Sequence, residues 1–146
     1  MTNLVKKVAA MAAAVMMMAS MSIGASASGI IIDRDPPPYA SKYMRMAVEG
    51  NIYTGTNKRS VYNLTTSRSS TKRYFYADAQ ILNSSLSRID GRKKFGVLSL
   101  GNYLDPKLTL TNRKAYIGSF YSAVHKTTNK NSTIIDNKRI QMSLKY

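Results

Sequence analysis

The chain has 146 residues, with 22 Lys or Arg against seven Asp or Glu, one histidine and no cysteine. Without a thiol there is no disulfide framework, no cysteine nucleophile and no cysteine-linked lipid anchor, and a lone histidine makes a zinc site improbable. A net charge of +15 directs attention to polyanionic partners, against the plain alternative of a basic surface that only keeps the protein soluble.

The first 27 residues read as a secretory signal peptide. Lys6 and Lys7 form a positive n-region, Val8 to Ala19 is an unbroken run of Ala, Val and Met, and Ala25-Ser26-Ala27 offers small residues at a cleavage site. A retained membrane anchor is the alternative, but the run falls short of the roughly 20 apolar residues that span a bilayer. Without Lys6 and Lys7 the remaining 20 basic residues still face seven acidic ones, a balance of +13. No later apolar segment suggests a membrane span in the mature chain, so the expected location is secreted or extracellular, with cell-wall association as one end point.

Residues 28–41 read as an extended Pro-rich N-terminal arm, and residues 42–146 as a single β-rich domain. In the arm, Ile30-Ile31-Ile32 and Asp33-Arg34-Asp35 lead into Pro36-Pro37-Pro38. Three successive prolines enforce an extended backbone and exclude a central strand, so the arm is a linker or an edge segment. Tyr43 to Tyr53 fits a strand, because Met44, Met46 and Val48 alternate with polar neighbours, but Ala40, Tyr43, Met44, Ala47 and Val48 also make a helical stripe. The period-two patterning of later segments favours the strand.

Lys72 to Asn83 alternates cleanly, with Phe75, Ala77, Ala79 and Ile81 on one face and Tyr74, Tyr76, Asp78 and Gln80 on the other. Asp90-Gly91 is a hairpin signal, with Arg88-Ile89 leading in and Lys94 to Leu100 leading out. Asp105-Pro106 marks another turn before Leu108 and Leu110. Ala115 to Lys126 is the longest candidate strand and, with neither face fully polar, is expected between two layers. Thr133 to Ile135 and Arg139 to Lys145 would pair around Asp136-Asn137-Lys138, with Ile140, Met142 and Leu144 inward. Asn63 to Lys72 and Thr127 to Ser132 are loop-like in composition. Short strands separated by turn signals predict an all-β fold, a small antiparallel β-sandwich or barrel.

No motif specifies a reaction, and no catalytic, metal or cofactor site is assigned. His125 is the one candidate histidine base, and its ordinary reading is a surface residue near a strand end. Asp90, Asp105 and Asp136 fall at predicted turns, and Asp33 and Asp35 lie on the arm, which leaves Glu49 and Asp78 as strand carboxylates. Three Asn-x-Ser/Thr tripeptides begin at Asn63, Asn83 and Asn131 and are chance matches in so Asn-, Ser- and Thr-rich a chain.

The basic and aromatic residues carry more. Lys72, Arg73, Tyr74 and Tyr76 lie on one strand, Arg92, Lys93 and Lys94 follow the Asp90-Gly91 pair, and Arg113 and Lys114 precede Tyr116. Rings that face solvent would stack on sugars or bases while the cations hold an anionic group; the ordinary alternative is that tyrosines cover core edges and lysines guard edge strands. The leading expectation is a non-enzymatic binder of an anionic cell-wall polymer, glycan or envelope or membrane surface. No nucleic-acid partner is expected, since no nucleic-acid-binding signature appears in an exported chain. The alternatives are a small secreted toxin or bacteriocin-like protein acting on membranes and, third, a secreted hydrolase.

Overall fold

The computed structural model describes residues 31–145, with side chains from Asp35 onward. The signal peptide read over residues 1–27 and the first residues of the arm lie outside the described residues. Ten strands follow in chain order: β1 (Ile31–Arg34), β2 (Tyr39–Ala40), β3 (Met44–Tyr53), β4 (Lys58–Ser67), β5 (Arg73–Leu82), β6 (Arg88–Leu98), β7 (Tyr103–Leu104), β8 (Lys107–Thr111), β9 (Ile117–His125) and β10 (Ile134–Ser143). They form two antiparallel sheets packed as a β-sandwich. The larger sheet runs β1-β3-β4-β7, with β2 also on β3 and β8 also on β4, and the smaller runs β10-β9-β5-β6.

The strand reading of Tyr43 to Tyr53 holds, because Met44, Met46, Val48 and Ile52 alternate into the core. Phe75, Ala77, Ala79 and Ile81 are fully buried, as their alternation predicts. Ile140 and Met142 pack against the core and Leu144 is buried within it. The arm runs along the free edge of β3: Ile31–Arg34 pairs with Gly50–Tyr53, and Tyr39–Ala40 with Arg45–Met46. Pro36-Pro37-Pro38 interrupts the pairing between them, at an edge where missing N–H donors cost nothing.

Several turns lie elsewhere than the sequence suggests. Asp90-Gly91 is not a turn; it sits within β6, opposite Ile81 and Gln80. The actual reversal is Asn83 to Ser87, where Asn83 Oδ1 accepts from the Ser85 and Ser87 N–H groups and Leu86 takes a φ of 60°. Asn is well suited to this role, since its side chain mimics a backbone turn. Asp105-Pro106 does not reverse the chain either: β7 and β8 both run along β4, and the pair only breaks that edge strand. Asp136-Asn137-Lys138 lies inside the continuous strand β10, which pairs with β9 through the Thr127–Thr133 loop. Strand β9 is central within its sheet, between β10 and β5, but lies between no two layers. Its outward residues are small or half-covered by neighbours.

The largest departure is β4. Asn63 to Ser67 is loop-like in composition, yet it is buried strand. Two apolar clusters fill the sandwich, one around Val61, Ile81 and Phe120 and the other around Met44, Phe75 and Val124. Between them on β4 and β9 lie Asn63, Thr65 and Ser122, all fully buried. Asn63 Nδ2 donates to the Asp78 carbonyl at 2.8 Å and to Ser122 Oγ at 3.1 Å, and Thr65 Oγ1 donates to Asn63 Oδ1 at 3.0 Å. Thr65 Oγ1 and Ser122 Oγ are 2.6 Å apart. A satisfied buried network of this kind costs little and fixes the register of the two sheets, whereas a broken one leaves orphaned groups.

Each open edge of the sandwich is closed by a side-chain link. Tyr39 Oη donates to Asp136 Oδ1 at 2.9 Å, and Ser41 Oγ bonds the other oxygen. On the opposite edge Lys94 pairs with Asp105. Two of the three carboxylates expected at turns, Asp105 and Asp136, therefore serve as latches.

Replacing Asn63 by Leu keeps the branching of the side chain but removes its bonds to the Asp78 carbonyl, Thr65 and Ser122. Urea unfolding of Asn63→Leu should show a loss of about 1–3 kcal/mol. A variant as stable as the natural chain would mean that the network contributes nothing to the fold.

Candidate functional site

The outer face of the smaller sheet is where the structure gathers chemistry. Because β5 turns Phe75, Ala77, Ala79 and Ile81 inward, Tyr74, Tyr76, Asp78 and Gln80 point out. The registers place Val97, Phe95, Lys93 and Gly91 of β6 directly beside these four. On the other side come Ala123, Tyr121 and Ser119 of β9, and beyond them Asn137, Arg139 and Gln141 of β10.

Two rows of rings cross the face. Tyr74 lies 6.3 Å from Phe95 and meets His125 edge-on at 5.2 Å. Tyr76 lies 6.1 Å from Tyr121, whose other side carries the Arg139 guanidinium at 5.2 Å. Cross-strand aromatic and cation–π pairs of this kind hold the rings in fixed orientations.

Asp78 sits at the centre of this face and is only 6% exposed. Its Oδ1 accepts the Tyr121 N–H at 3.0 Å, while Oδ2 accepts from Gln80 Nε2 at 3.2 Å and Tyr76 Oη at 3.3 Å. Burial pushes the Asp78 carboxyl above its ordinary 3.8, and the bonds from Tyr76, Tyr121 and Gln80, with Arg139 nearby, offset part of that rise. Burial and the same carboxylate hold the Tyr76 hydroxyl above its usual value. Beside Asp78 opens a pocket of about 300 Å³ lined by Tyr76, Asp78, Gln80, Arg88, Gly91, Arg92 and Lys93. Gly91 makes the room: a Cβ there would lie 3.1 Å from Gln80 Cγ and 3.2 Å from Arg88 Nε.

The ten residues expected to bind do not form one patch. Tyr74, Tyr76 and Lys93 share the outer face, and Arg92 joins the pocket while pairing with Asp90 at 3.3 Å. Lys94 points to the opposite side and latches Asp105. Arg73 is a staple at one end of the sandwich: Nε donates to Ser69 Oγ, a terminal nitrogen bonds the Lys126 carbonyl, and the plane lies 5.3 Å from the Tyr43 ring. Lys72 is exposed beside it. Arg113, Lys114 and Tyr116 lie in the connection between β8 and β9 at the other end, where Lys145 covers Tyr116 at 5.1 Å.

His125 is not a surface residue; it is buried, with Nδ1 2.8 Å from the Ser132 carbonyl. Among the described residues no three His, Cys, Asp or Glu side chains come together to hold a metal, and no helix is long and apolar enough to cross a membrane. Arg88, Gln80, Tyr121 and Arg139 were outside the expected set. The alternation of β5 marks Gln80 as Asp78's neighbour on one face, but pairing to Arg139 depends on the β9–β10 register.

No protein-family model matches the chain, and no curated protein matches it. Among solved structures, it is similar to a glycosyl hydrolase family 2 member from Bacteroides cellulosilyticus, with a TM-score of 0.38 and 9% identity over 80% of this chain and 14% of that one. A β-glucuronidase from glycoside hydrolase family 2 gives a TM-score of 0.38 and 10% identity over 79% of this chain and 11% of the other. The chain thus spans a small fraction of the length of either.

Since the folded chain holds the Asp78 proton more tightly than the unfolded chain does, stability falls as pH rises from 3.8 through the raised value, and the deficit persists above it. Asp78→Asn cannot ionise. In urea unfolding at successive pH values, its stability relative to the natural chain should therefore rise across that window; a pH-independent difference would contradict a buried, ionising Asp78.

Proposed function

We propose that the protein is an exported, non-enzymatic binding protein that takes an anionic glycan or cell-wall polymer on the outer face of the four-stranded sheet. The pocket beside Asp78 is the observation that carries this reading. It combines a hydrogen-bond acceptor, an amide and a phenol ring with three cationic side chains, Arg88, Arg92 and Lys93. Asp78 and Gln80 suit sugar hydroxyls, the Tyr76 ring suits the apolar face of a pyranose, and the cations suit a carboxylate or phosphate substituent. A polyanion is drawn to such a face over roughly 8–10 Å at ordinary salt.

Two features weigh against the alternatives. Asp78 is the one carboxylate in the pocket lining, whereas glycosidic hydrolysis generally employs two. The outward side of β9–β10 carries Ser119, Tyr121, Arg139 and Gln141, which is unlike the apolar band of a membrane-spanning hairpin.

Sedimentation with Gram-positive cell walls, intact or stripped of anionic polymers, tests the reading. Intact walls should bind the protein, and high salt or stripping should release it. Gly91→Val fills the pocket without altering charge and should weaken binding about tenfold or more. Gly96→Val, in the same strand with open space at its Cβ, serves as the control and should bind normally. Equal binding by both variants would reduce the interaction to bulk charge, and no binding by the natural chain would sink the proposal.

A further inference from the structure

One end of the sandwich has a composition that the pocket does not use. It is formed by residues 41–43, 68–72, 99–102 and 126–133, whose neighbourhood follows from the pairs Met44–Ser67 and Arg73–Leu98 and from the bond of the Tyr74 N–H to the Thr127 carbonyl. These segments, with Arg73 beneath them, hold Lys42, Arg68, Lys72, Lys126 and Lys130 and contain no Asp or Glu. The five side chains are exposed.

Amid these cations the chain exposes large apolar side chains. Leu100 is 48% exposed at the tip of the 99–102 turn, and Val97 and Phe95 just below it are 47% and 58% exposed. Ile134, at the foot of the 126–133 loop, is 43% exposed. Only Leu86 and Tyr103 are further members of the exposed apolar set among the described residues, and Leu86 belongs to the opposite end.

The tip is rigid. The Gly101 N–H bonds the Ser67 carbonyl and the Ser67 N–H bonds the Asn102 carbonyl, both at 2.8 Å, and Gly101 adopts the positive φ that the turn requires. Arg73 ties the 126–133 loop, Ser69 and the Tyr43 ring together from within. In the 126–133 loop, Asn129 and Ser132 accept backbone N–H groups. Leucine on a preformed tip loses little entropy on insertion and gains by leaving water.

We propose that this end is a second, independent docking surface, which seats on the headgroup region of an anionic lipid bilayer. The lysines and arginines would lie at the phosphate level while Leu100, with Val97 and Phe95, enters the acyl boundary. A soluble polyanion would engage the cations and leave the apolar cluster in water, so the juxtaposition of the two favours a bilayer over a free polymer.

Flotation of the exported protein with phosphatidylcholine vesicles, with and without phosphatidylglycerol, tests this. Binding should require phosphatidylglycerol. Leu100→Ser, which changes no charge, should lower the partition coefficient by about threefold to tenfold. The pair Lys72→Glu with Lys126→Glu should lower it by about tenfold or more. Leu86→Ser, a still more exposed leucine at the far end, should bind as the natural chain does, and so should Gly91→Val, which separates this surface from the glycan pocket. Circular dichroism of each variant confirms folding. Equal effects of Leu100→Ser and Leu86→Ser, or binding indifferent to phosphatidylglycerol, would overturn the proposal. A charge-reversed pair that loses soluble polyphosphate while Leu100→Ser loses nothing would assign the end to a free polymer instead.

Discussion

The arrangement of the molecule turns on three buried polar side chains, Asn63, Thr65 and Ser122, that cross from one sheet to the other. Apolar packing alone would allow two facing sheets to slide, because methionine, alanine and valine accept many registers at similar cost. An amide that must reach the Asp78 carbonyl and Ser122 Oγ permits only one. It also acts at the rung from which the outer site is built. Asn63 holds the backbone of Asp78 from below, and its amide lies 3.4 Å from the Tyr121 carbonyl, while the Asp78 carboxylate takes the Tyr121 N–H from above. Inner network and outer face thus share one pair of residues, Asp78 and Tyr121, so the position of the pocket's carboxylate depends on polar atoms in the middle of the core.

That network also explains where sequence reading succeeds and fails. Strand β5 is legible because, from Tyr74 to Ile81, its inward positions are all apolar and its outward ones polar or phenolic, so period two stands out. Strand β4 is invisible to the same test, since Asn63, Thr65 and Ser67 occupy inward positions and Leu64 an outward one. Glycine and aspartate mislead for a related reason. Asp90-Gly91 has hairpin chemistry, but Gly91 is there to keep space open beside Gln80, and the reversal passes to Asn83, whose side chain caps two backbone N–H groups. Which cations converge depends on pairings between strands distant in sequence. Consecutive Arg92, Lys93 and Lys94 look like one cluster, yet alternation sends Lys94 to a latch and Lys93 to the face.

The outer face of the small sheet changes character along its length. Toward the Arg88 end it is polar, cationic and concave; toward the Leu100 end it is aromatic, then aliphatic. A basic chain needs no such gradient for solubility, which even charge distribution provides. The separation places hydrogen-bonding groups around Asp78 at one end of this face and water-averse groups at the other. On the proposed reading, the +13 of the chain without its first 27 residues would act as a common attraction, while local chemistry would decide which end engages.

The latch between Tyr39 and Asp136 spans 97 residues. Closing a link of that length waits until nearly the whole domain is present, and the pairing of β5 with the sequence-distant β9 slows assembly further. Under the proposed export such reluctance would be useful: the chain would stay extended long enough to be threaded through a narrow channel, and the last stitch would be drawn only after both ends had arrived on the same side.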